Sequence, residues 1–162
     1  MWQGSNEYKN VKYARFDPLL ISIGVLGTDQ VIAEGAFAVG IAPGGAAKGY
    51  STGYRVNARD TDTAKTDALV ACKKSQPSAS GVAEDSGARA AKAKCEVVAT
   101  FRNKCVASAL DPKEATPGVG WAIADTQQEA NDEAVARCRS TAGPERRAFC
   151  KVLLQSCDGN TK

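Results

Sequence analysis

The 162-residue chain carries 21 basic and 18 acidic side chains, with 43% apolar and 24% charged residues, values ordinary for one globular domain and unlike those of a disordered chain. A net charge of +3 does not by itself point to nucleic acid, and none is expected as a partner. Histidine is absent, which removes the commonest general base for serine and cysteine nucleophiles; aromatic residues make up 6%, so the core leans on alanine and gains from covalent staples.

Residues 1–34 form an N-terminal extension. Lys9, Lys12 and Arg15 precede an apolar run from Leu19 to Leu26, the order of a secretion signal. Glu7, Asp17 and Pro18 interrupt that order and no A-x-A site follows closely, so the signal is expected to have been removed already, with Met1 an added start. The extension is expected to cover a sheet face or to serve as a contact arm. No apolar stretch approaches the roughly 20 residues needed to span a bilayer, so a soluble protein without a membrane span is expected.

Gly35 to Val39 reads as a strand, Pro43-Gly44-Gly45 as a hairpin turn, and Gly49 to Val56 as a second strand. Asp60-Thr61 offers caps for a helix beginning near 62. Lys73 to Lys94 is rich in Ser, Ala, Gly and Lys and reads as a linker, after which Cys95 leads a strand to Phe101. The order then recurs: Cys105 to Leu110 as a strand, a turn at Asp111-Pro112, and Gly118 to Ile123 as a strand. Thr126 and Glu129 form a capping box for a helix beginning near 127, and Cys150 leads a last strand to Leu154.

The repetition extends to single positions. Ala64, Ala68, Leu69 and Cys72 stand 66 residues before Ala130, Ala134, Val135 and Cys138, and their spacing puts each set on one helical stripe. The predicted fold is α+β: two pseudo-symmetric strand-strand-helix-strand units, 35–104 and 105–157, forming antiparallel sheet with helices packed on it in one domain, 35–157.

The six cysteines, Cys72, Cys95, Cys105, Cys138, Cys150 and Cys157, contain no C-x-x-C pair, so zinc-finger and thioredoxin patterns fail and an oxidised framework outside the cytosol is expected. Each helix ends near the following strand, which suggests local bridges Cys72–Cys95 and Cys138–Cys150 and leaves Cys105 with Cys157 to link the halves; antiparallel neighbours leave Cys105 with Cys150 open as an alternative.

No catalytic constellation stands out, and a non-enzymatic protein without metal or cofactor is expected. Asp60, Asp62 and Asp125 at the helix starts are better explained as caps than as a carboxylate pair. The glycines at 44–49 lack the spacing of a phosphate loop. Arg89, Lys92, Lys94, Arg102 and Lys104 form a basic grouping with Phe101 that suits an acidic partner surface or an anionic glycan, or simply a solvated face.

The series Gly35-Ala36-Phe37-Ala38, Gly49-Tyr50-Ser51, Ala64 to Cys72, Cys95-Glu96-Val97-Val98 and Phe101-Arg102-Asn103-Lys104-Cys105 resembles the bacterial DUF4189 family over residues 35–157. The resemblance implies an exported, cysteine-bearing small domain with no assigned active site, periplasmic or secreted. Some periplasmic proteins of this general kind look like immunity proteins. The expected function is therefore a binding protein that neutralises an antibacterial toxin, with a secreted factor acting on a host or neighbouring cell as the alternative.

Overall fold

The computed structural model describes residues 34–75, 86–113, 115–159 and 161; the readings on residues 1–33, and on the middle of the Lys73–Lys94 segment, lie outside them. The described strands are β1 (Glu34–Ile41), β2 (Tyr50–Ala58), β3 (Glu96–Phe101), β4 (Cys105–Leu110), β5 (Val119–Ala124) and β6 (Lys151–Cys157); the helices are α1 (Thr61–Lys74), α2 (Ser86–Ala93) and α3 (Gln127–Thr141). They form two antiparallel sheets, β2-β1-β3 and β5-β4-β6. The first strand of each unit is thus the centre of its own sheet, and its hairpin partner and its cysteine-led strand are the edges.

The two faces of each sheet are built from different side chains. On one face of β1, Ala36 and Ala38 meet Ala64, Ala68 and Cys72 of α1; on one face of β4, Cys105, Ala107 and Ala109 meet Ala130, Ala134 and Cys138 of α3. Both helices start on the expected caps, with Asp60 accepting from the Thr63 amide at 2.7 Å and Thr126 and Glu129 capping reciprocally. The opposite faces pack on each other through Phe37, Val39, Phe101 and Val106, flanked by Tyr50, Tyr54, Val56, Trp121, Ile123 and Leu154. Period-two alternation separates the two sets, and the result is four layers: helix, sheet, sheet, helix. Among the described residues the aromatics are concentrated in the middle layer.

Glycine sets the thickness of the outer layers. A Cβ on Gly53 of β2 would lie 2.1 Å from the Cys72 amide nitrogen, and one on Gly120 of β5 would lie 2.4 Å from the Cys138 nitrogen and the Ala134 oxygen. Bare strand backbone therefore lets each helix lie flush on its sheet through a stripe of alanines, the close approach that glycine permits.

The linker reading of Lys73–Lys94 is corrected at its C-terminal end, where α2 forms. Ala88, Ala90, Ala91 and Ala93 are strong helix formers, and Ala91 is fully buried because its carbonyl seats over Gly40, where a Cβ would meet it at 2.1 Å.

Three disulfides close the framework with no free cysteine. Cys72–Cys95 and Cys138–Cys150 each tie a helix to the start of its unit's last strand. Cys105–Cys157 pairs as expected, but it does not link the halves. Cys105 of β4 lies directly opposite Cys157 of β6 in antiparallel register, so this bridge stays within the second sheet. The halves are joined by the sheet-on-sheet layer and by Asp158. Its buried carboxylate accepts from the Asn57 amide at 2.7 Å and the Asn103 amide at 3.1 Å, and its own amide donates to the Lys104 carbonyl at 2.9 Å. Both asparagines hold positive φ, 55° and 50°, a conformation asparagine tolerates better than most residues.

Two further polar contacts reach into the interior. Tyr50 reaches Ser108 across the two sheets at 3.4 Å, and burial pushes its hydroxyl up to about 12. Arg146 donates to both oxygens of Asp111, at 2.7 and 2.5 Å, and holds that carboxyl at about 2.

Candidate binding groove

The middle layer is not sealed at the end where β1 finishes and β3 begins. A groove of about 400 Å³ opens there, lined by Val39, Ile41 and Pro43 from β1 and its turn, by Lys94, Glu96 and Val98 at the start of β3, and by Trp121 from the other sheet. Ile41 is 45% exposed and Val98 37%, so the lining presents apolar surface to solvent. Lys94 and Glu96, both exposed, place one charge of each sign at its rim.

Val98 occupies its position because β3 carries a bulge. Phe37 pairs with Ala99 but Ala38 pairs with Val97, leaving Val98 as the extra residue; a bulge of this kind re-aims a side chain on an edge strand. The second unit repeats the device: Ser108 pairs with Leu154 and Ala109 with Val152, leaving Leu153 extra and 50% exposed. Trp121 is held in place from two sides. Its ring packs on Phe37 with centroids 5.4 Å apart, while Arg137 lies over it at 5.7 Å and donates to its backbone carbonyl at 2.9 Å. An aromatic ring held in this way offers contact area at little cost in side-chain entropy.

A family described as Domain of unknown function (DUF4189) matches residues 35–157, which include every strand, helix and cysteine discussed above apart from Glu34. The chain belongs to the DUF4189 family. No match was found among curated proteins or among solved structures.

Within this DUF4189 domain the basic residues singled out from the sequence separate into two places. Arg89 and Lys92 lie on α2 and Lys94 on the groove rim, at the beginning of β3. Arg102 and Lys104 follow its far end, roughly 20 Å away by strand rise. There Arg102 donates to the nearly buried Glu34, with Nε at 2.9 Å, and Lys104 pairs with Asp125. Of the five, Lys94 alone lines the groove.

The three helix-start carboxylates of the DUF4189 domain have local partners. Asp60 caps α1, and the Thr63 amide holds it below the ordinary carboxylate range; Asp62 faces Lys65 at 3.7 Å. Among the described residues no group of three or more acidic or cysteine side chains is arranged to hold a metal ion, and no helix is long and apolar enough to cross a membrane. Three disulfides fit a DUF4189 protein that matures outside the reducing cytosol.

The groove residues Ile41, Val98 and Trp121 were not singled out by sequence reasoning. A signal for Val98 was nevertheless present: Val97-Val98-Ala99 and Val152-Leu153-Leu154 are unbroken apolar runs where a half-buried strand would alternate, a pattern a bulge produces.

Proposed function

We propose that this DUF4189 protein is a non-enzymatic binding protein of the periplasm or the extracellular space, whose groove between the two sheets receives an apolar segment of a protein partner. The observation that carries the reading is the groove itself: Ile41 and Val98 exposed beside a tryptophan held in place by Phe37 and Arg137, with Lys94 and Glu96 at the rim. Concave apolar surface with a few orienting charges is the usual form of a recognition site. The specific partner we favour is an antibacterial toxin that the protein neutralises as an immunity protein, since a stapled scaffold presenting a preformed groove loses little entropy on binding.

The test is co-purification with the product of the neighbouring gene, read by size exclusion under oxidising conditions, together with protection of cells that express that product. A stoichiometric complex that Ile41→Asp and Val98→Asp abolish, while both variants keep the wild-type unfolding midpoint, is the expected result. A complex unaffected by both substitutions would remove the groove from the reading. No complex with any neighbour, and no protection, would remove the immunity role.

A further inference from the structure

We infer that the partner's segment enters the groove as an extended strand, antiparallel to β3 and hydrogen-bonded along its outer edge. The inference rests on the groove reading above and adds to it the conformation and the side-chain pattern of the occupant.

Two edge strands, β3 of the first sheet and β5 of the second, contribute side chains to the groove. Each pairs with a neighbouring strand on one side only, so alternate amides and carbonyls point away from its sheet. On β5 such groups are already bonded by α3. Thr141 Oγ1 accepts from the Val119 amide at 3.0 Å and lies 2.9 Å from the Val119 carbonyl oxygen, and Arg137 donates to the Trp121 carbonyl at 2.9 Å. Val119 and Trp121 are two residues apart, the spacing of groups on one edge. On β3, among the described residues, no side chain bonds the backbone. The bulge at Val98 disturbs the pairing with β1, on the other side of the strand. The edge able to take a further strand is therefore that of β3. A helix, with its backbone groups bonded internally, would leave this edge unpaired; an extended segment satisfies it, the usual mode of recognition at an exposed sheet edge.

The side chains give the pattern. Lys94, Glu96 and Val98 alternate along the chain and all line the groove, whereas Val97 between them packs towards α1. Lys94 and Glu96 are exposed, and among the described residues neither has an ion-pair partner. Side chains directly opposite each other across an antiparallel pair interact most closely. From its N-terminus the complementary strand therefore carries an apolar residue to meet Val98, then a basic one to meet Glu96, then an acidic one to meet Lys94, each separated by one residue that faces away.

The experiment is a nuclear magnetic resonance titration of the full oxidised chain with the capped peptide Thr-Val-Thr-Leu-Thr-Lys-Thr-Glu-Thr, followed by amide hydrogen exchange. At millimolar peptide, slower exchange at alternate amides of β3 and movement of the Trp121 indole resonance are expected. Exchanging Lys and Glu within the peptide should weaken binding about tenfold, since two favourable cross-strand pairs become unfavourable ones. N-methylation of the peptide amides along one edge should abolish binding, and along the other edge should leave it unchanged. Movement of Trp121 with unchanged exchange in β3, equal binding of the exchanged peptide, or equal effects of the two methylations would overturn strand addition and leave the groove reading standing. No response to the peptide, with a neighbour-gene complex that Ile41→Asp still abolishes, overturns strand addition alone; no response and no such complex overturns both.

Discussion

Replacing Gly53 or Gly120 with alanine tests whether bare strand backbone sets the distance between helix and sheet. The added methyl would lie 2.1 Å from the Cys72 nitrogen in the first unit and 2.4 Å from the Cys138 nitrogen in the second, whereas carbon contacts are comfortable only from about 3.5 Å. Each helix would have to retreat by about 1 Å, against backbone atoms, with Cys72 or Cys138 tethering it through a disulfide. Overpacking of well-fitted interiors costs about 1–3 kcal/mol, and because no flexible side chain can give way, about 3 kcal/mol is expected for each glycine, Gly53 the larger. The two sites lie in separate outer layers, so their effects should add to about 6 kcal/mol, a large share of the roughly 5–15 kcal/mol that holds a domain folded. Urea unfolding under oxidising conditions measures this through the shift in midpoint at constant slope. Alanine variants with wild-type midpoints would refute the close-approach argument.

The remaining predictions concern the framework, the middle layer and acid stability. Removing the disulfides one at a time as paired serine variants should cost progressively more from Cys138–Cys150 through Cys72–Cys95 to Cys105–Cys157, whose sequence separations are 12, 23 and 52; loop-closure entropy gives about 2.8, 3.4 and 4.1 kcal/mol, and equal midpoints in urea would contradict the ordering. Phe37→Ala empties the position where the two sheets meet and should cost about 3–5 kcal/mol, measured in the same titration, with a loss of Trp121 near-ultraviolet signal because the two rings touch. Arg146 depresses the Asp111 carboxyl to about 2 in the folded state. A folded pKa below the unfolded one adds stability that is present above the ordinary carboxylate range and is lost as pH falls towards 2. Asp111→Asn should therefore flatten the fall in melting temperature below pH 4, and an unchanged acid limb would count against the pair.

Much of the fold was legible because the chain states it twice. A helical stripe, its cap and its terminal cysteine recur at a constant offset, and coincidence of three independent signals fixed the start of both helices to within a residue, while their ends run two or three residues past the cysteines. The cysteine pairing followed from the same order, although the inference that Cys105–Cys157 would link the units failed because sheet register, which places those residues opposite each other, depends on contacts 52 residues apart. Helix α2 was missed because Ser86 and Gly87 weaken its start and its stability comes from seating on Gly40, a tertiary contact that local propensity does not carry. The groove was missed for a related reason. A bulge is a mismatch between two strands, so its existence is hinted at by doubled valines or leucines in one of them, but the direction in which Val98 points is set by the partner β1. The basic grouping dispersed because closeness along β3 is extension in space.

The carboxylate of Asp158 holds the Asn57 amide across a separation of 101 residues, and that has a consequence for the order in which the chain folds. Contacts between such remote positions form late, since the intervening chain must first be brought to order. Until the final strand has formed, Asn57 near the end of β2 and Asn103 between β3 and β4 lack their common acceptor, and the first unit has no second sheet to cover Phe37 and Val39. A chain still lacking its last strand therefore cannot close the middle layer, and arrival of the C-terminal residues is the step that locks the two units together.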